Sequence, residues 1–244
     1  MKKYFSLLKR QVFHFLISIS CYLNIPFFCA YLIKKSLFKP KIYKKKENKK
    51  IFIVLYREIG IRDIEIIHKS ANYNLEFLFL RRSITKVILF CFSNRKKFFF
   101  NYLKPSINIQ DYFNQNKKNK LKHEKFWTDV ILNLKRYFKD KTINFITFNF
   151  DYYAEAALYI GCNKNNISTK LWHKEGIQTD PDGEHRMNTT FLKLNHMFKY
   201  FSNISVYNET TKKRFIRLDK ANKKKNYCKW LSKNYRFYYK KKIS

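Results

Sequence analysis

Between Leu171 and Arg186 the chain reads LWHKEGIQTDPDGEHR, the most informative polar cluster in the sequence. It holds His173 and His185, Glu175 and Glu184, Lys174, Arg186 and the carboxylates Asp180 and Asp182. A carboxylate beside an imidazole at a strand end can act as a general base or hold a substrate hydroxyl. Glu175 is the candidate for that role, against an exposed loop ion pair with Lys174. His173 is either a site residue or a structural histidine. Asp180-Pro181-Asp182-Gly183 is an ordinary turn signature, so its two carboxylates are read as turn chemistry. A second polar pair, Arg57-Glu58, follows an apolar run and is either a site pair or the charged start of a helix. The spacing of His173, Glu175, Glu184 and His185 matches no standard metal site, and no metal is expected. There is no GxGxxG, no GxxxxGK[ST] and no GxSxG, so neither a dinucleotide fingerprint, a P-loop nor a hydrolase elbow is supported.

These residues need strands to carry them. Ile51 to Tyr56 is a short β-branched run of the kind buried in a parallel sheet. Ile61 to Ala71 has apolar residues at helical spacing, and Leu75 to Leu80 reads as a second strand, which completes a βαβ unit. Ile84 to Phe92 is apolar and fits strand or helix; Phe98 to Tyr102 fits a short strand. Asn114 to Lys120 reads as a solvated loop and His123 to Lys139 as an amphipathic helix. Ile143 to Asn149 is a strand. Asp151 to Ile160 is a helix with Asp151 as its N-cap and Gly161 where a C-cap would stand. Ser168 to Trp172 is a strand that runs into the polar cluster. Phe191 to Phe201 reads as helix, and Ile204 to Tyr207 as a short strand leading to a helix from Glu209. From Lys220 onward no core pattern is visible. Such alternation predicts an α/β fold, a Rossmann-like, mostly parallel sheet whose ligands sit at the carboxyl ends of the strands.

The chain has 52 Lys and Arg against 17 Asp and Glu, a formal charge of +35. That balance favours anionic partners: nucleic acid, an anionic membrane or phosphorylated substrates. The abundance of Lys, Asn, Ile, Phe and Tyr beside only 4 Gly and 4 Pro is equally what an AT-rich coding sequence yields. The five cysteines match no zinc pattern and are expected as buried free thiols in the cytoplasm. No charge interrupts the 22 residues from Val12 to Ile33, flanked by Lys9 and Arg10 before and Lys34 and Lys35 after. As one helix the run would span roughly 33 Å, enough for a bilayer core. It could pack on the domain, lie at the membrane interface or cross the membrane, and Pro26 would break or kink it. A signal peptide fits badly. The expected division is an N-terminal apolar, basic, membrane-associating helix over 1–43, a charged linker over 44–50, the Rossmann-like domain over 51–203, and a remnant of a linker or second domain with a basic tail over 204–244.

The strand ending in Arg57-Glu58 with its following helix resembles the opening of bacterial surface-carbohydrate biosynthesis proteins, of capsule or lipopolysaccharide type, with a GT-B-like glycosyltransferase fold. The loop His173-Lys174-Glu175-Gly176, with Arg186 shortly after, is similar to their Glu-Gly loop. Ile204 to Ile216 is similar to their passage into a second domain. The resemblance implies a single GT-B-like N-terminal domain and transfer of a sugar from a nucleotide donor. Glu58 or Glu175 would be the base or acceptor clamp. Arg57, His173, Lys174, Gly176 and Arg186 would face phosphate or sugar. No cofactor is implied beyond the nucleotide-sugar donor. The family's donor-binding second domain would not fit in the 28 residues after Ile216. A single-domain relative, a subunit completed by a partner, or a truncated product is therefore expected, peripheral at the cytoplasmic membrane face. The alternative is a non-catalytic basic protein that binds RNA or anionic membrane.

Overall fold

The computed structural model describes residues 2–38, 50–56, 75–93, 114–139, 141–148, 155–173, 200–206, 213 and 226–229. Six described strands form one parallel sheet: β1 (Lys50–Tyr56), β2 (Leu75–Arg81), β3 (Thr142–Phe148), β4 (Ser168–His173), β5 (Asn203–Val206) and β6 (Asn226–Lys229), in the order β2-β1-β3-β4-β5-β6. Every pairing between these six strands is parallel, so the expected α/β, Rossmann-like sheet is present. Ile51, Ile53, Leu55, Leu78, Leu80 and Phe145 on one face are buried, and so are Phe52, Val54, Phe77, Phe79 and Ile146 on the other. Burial on both faces is why β1 reads as a continuous apolar run and not as an alternating one.

Five helices are described: α1 (Lys2–Tyr22), α2 (Pro26–Ser36), α3 (Arg82–Phe92), α4 (Lys117–Tyr137) and α5 (Ala156–Lys164). The N-terminal apolar run is two helices and not one. Asn24 at φ 53° turns the chain, and Pro26 starts the second helix, where its missing N–H costs nothing. Ile17, Cys21, Cys29, Ala30, Leu32 and Ile33 enter the same core as the sheet residues. Among the described residues no helix is long and apolar enough to cross a membrane.

The ambiguous stretch after β2 is helical. α3 buries Ile84, Val87, Ile88 and Cys91, spaced by three and four. α4 starts six residues before the expected His123. Asn116 caps it by accepting the Asn119 N–H at 2.8 Å, so the polar stretch read as loop is the helix's first turn. α5 runs through Gly161, which is no C-cap. A Cβ there would lie 2.9 Å from the Trp127 carbonyl carbon, so the glycine lets α5 approach the α4 backbone. β5 and β6 extend the sheet beyond the expected boundary at residue 203, and β6 arises in the tail where no core pattern was visible. The expected helix over 61–71, the strand over 98–102, the Asp151 cap, nearly all of the helix over 191–201 and all but residue 213 of the helix from 209 fall outside the described residues.

Candidate functional site

The parallel register brings the strand ends to one line. Tyr56 stands beside Arg81 of β2, Leu55 beside Thr147 of β3, Phe148 beside Trp172 of β4, and His173 beside Val206 of β5. The chain therefore leaves β1 toward Arg57-Glu58 and β4 toward Lys174-Glu175 at the same sheet edge. One strand, β3, lies between them, a separation of about 10 Å at ordinary strand spacing. Arg57, Glu58, Lys174, Glu175, Gly176 and Arg186 lie outside the described residues; of the expected site only His173 is placed, as the last residue of β4.

Strand order reverses between β1 and β3, because the chain moves outward to β2 and then returns to the other side of β1. Open α/β sheets bind ligands in the crevice outside the carboxyl ends of the strands at such a reversal. A buried polar cluster stands beside it. Arg82, the first residue of α3, donates from Nη2 to Thr147 Oγ1 at 2.7 Å, and its Nε lies 3.1 Å from Glu155 Oε1. The Tyr159 hydroxyl donates to Glu155 Oε2 at 3.2 Å. Arg82 and Glu155 are 6% and 1% exposed, so the pair is desolvated and its geometry is held by the fold. Burial, and then the Glu155 charge, push the Tyr159 hydroxyl well above its ordinary pKa, which keeps it a neutral donor.

The cluster ties three elements at the reversal: the β2–α3 junction, the end of β3 and the start of α5. Glu155 occupies the α5 N-cap position but makes no side-chain cap; its carboxylate serves Arg82 instead. Sequence reasoning passed over these residues. Two signals were available: Arg81-Arg82 directly after the apolar strand, and one carboxylate, Glu155, between small apolar residues in YYAEAALY. Neither states that the two side chains meet, since 73 positions separate them.

The two buried histidines among the described residues are structural. Burial lowers the His123 pKa to about 3; the ring stacks on Phe92 and lies 3.4 Å from Gln115 Nε2. Burial, with Arg10 and Arg81 nearby, lowers His14 to about 4, and its Nε2 meets Ser83 Oγ at 3.1 Å. Among the described residues no group of three or more His, Cys, Asp or Glu side chains could hold a metal ion. Comparison with known protein families, curated proteins and solved structures finds no match.

Proposed function

We propose that the chain is a glycosyltransferase-like protein of surface-polysaccharide assembly that works at an anionic, cytoplasmic membrane face. The observation that carries this reading is the common edge of β1 and β4 beside the strand-order reversal, braced by Arg82, Thr147 and Glu155. Glu58 and Glu175 follow β1 and β4 in the sequence, and the resemblance gives both a place in sugar transfer. In this reading the acceptor hydroxyl oxygen forms a bond to the anomeric carbon of the donor sugar. The bond from that carbon to the donor phosphate breaks, and its electron pair leaves with the nucleotide. Glu175 or Glu58 takes the hydroxyl proton. Arg57, His173, Lys174, Gly176 and Arg186 face phosphate or sugar.

The rival reading, a basic nucleic-acid binder, draws on the charge of +35. One experiment separates the two. In cells carrying the intact locus, Glu175→Gln is expected to lower polymer formation by roughly 10²–10⁴-fold, the contribution of a general base. The melting temperature of the purified variant stays within a degree or two, because a loop substitution of this size costs under about 0.5 kcal/mol. Unchanged polymer together with salt-sensitive RNA binding would support the rival and end the transfer reading.

A further inference from the structure

The junction of α1 and α2 holds large apolar side chains out in solvent. Tyr22 is 79% exposed, Leu23 58% and Phe27 59%. The turn that carries them is anchored. Leu23 N–H donates to Ile19 O at 2.9 Å and Ile25 N–H to Ser20 O at 2.8 Å, while Cys21 and Cys29 on either side are buried. The protrusion is thus built into the fold. On α2 the exposed stripe continues from Phe27 to Tyr31 and, one turn on, to Lys34 and Lys35. Next to the turn lies a cavity of about 400 Å³. Tyr22 and Asn24 line it from the turn and the exposed Lys122 and Lys125 from α4, with the buried Cys21 and Cys91 at its inner end.

Protruding apolar side chains beside exposed lysines match the boundary of an anionic bilayer. The apolar groups reach the acyl boundary and the ammonium groups meet lipid phosphates. Nucleic acid would use the lysines and could stack on Tyr22, Phe27 or Tyr31, but would leave Leu23 in water. We propose that the α1–α2 turn, with Lys122 and Lys125, is a docking surface for an anionic phospholipid bilayer. This rests on the membrane part of the function proposed above and not on sugar transfer. It also revises where the N-terminal run meets a membrane: most of the run faces the protein core, and the turn faces the lipid.

The test is sedimentation of the full-length chain with vesicles of phosphatidylcholine alone or mixed with phosphatidylglycerol. The wild type is expected to bind the mixed vesicles, to release in high salt, and to ignore pure phosphatidylcholine. Tyr22→Ser with Leu23→Ser, and separately Lys122→Ala with Lys125→Ala, are each expected to weaken binding on the order of tenfold. Thermal melts should be unchanged, since all four side chains are exposed. Wild-type binding that survives the Tyr22 and Leu23 changes would overturn the docking surface while leaving membrane association intact. A wild type that ignores both vesicles would end the membrane reading itself, whatever the polymer assay shows. Retention of a homopolymer RNA in place of vesicles would assign the surface to nucleic acid and overturn the proposal.

Discussion

At the scale of single residues, the Arg82–Glu155 pair is a feature in which neither partner can be removed alone at low cost. Both charges have left water, and neither is tolerable without a counter-charge. Glu155→Gln keeps the shape but removes the charge that faces Arg82, and is expected to cost about 3–5 kcal/mol in urea unfolding. Arg82→Met combined with Glu155→Leu removes both charges and should recover part of that loss, less what the buried Thr147 and Tyr159 hydroxyls lose with their partners. A single variant within about 0.5 kcal/mol of wild type would mean that water reaches the pair. The contrast with Glu175 is one of environment. Glu155 is enclosed and acts by positioning the strand ends, whereas a proton-transferring Glu175 must be reachable by an acceptor. The expected site was read from residue types in sequence, and of it only His173 lies among the described residues. The bracing cluster was not legible there, because its members are dispersed and are joined only when β2, β3 and α5 reach the same edge.

At the scale of elements, the clearest case is the crossing of α4 and α5. Gly161→Ala would gain about 1 kcal/mol of helix propensity. It would also set a methyl group 2.9 Å from the Trp127 backbone, which cannot rotate away as a side chain could. Overpacking of this kind costs about 1–3 kcal/mol. The clash is expected to exceed the propensity gain, so a lower melting temperature is predicted; a higher one would mean that α5 slides freely along α4. The strand β1 was legible because a strand buried on both faces leaves a dense β-branched and aromatic run bounded by charge. The α1–α2 turn was half legible: Pro26 marked a break, but only packing decides that both halves fold back onto the core. The start of α4 was missed because a polar, lysine-rich first turn has the composition of a loop, and the Asn116 cap is its one local sign. β6 was missed because a four-residue strand is too short to show a period and gains its order from β5.

At the scale of the whole molecule, strand order turns a set of strands into an edge with an order reversal, where open α/β sheets bind ligands. The sequence of βαβ units predicted a shared edge for the two glutamate loops. The parallel register of β1, β3 and β4 places both strand ends on that edge, with the order reversal beside them. The central claim is that Glu58 and Glu175 serve one site there. It is tested most directly by a double-mutant cycle on polymer formation with Glu58→Gln, Glu175→Gln and the pair. Residues that act on one reaction centre lose rate non-additively. The account predicts that each single variant is impaired and that the double variant is little worse than the weaker single one. Two losses that simply multiply, or two singles that both make polymer at the wild-type rate, would contradict it.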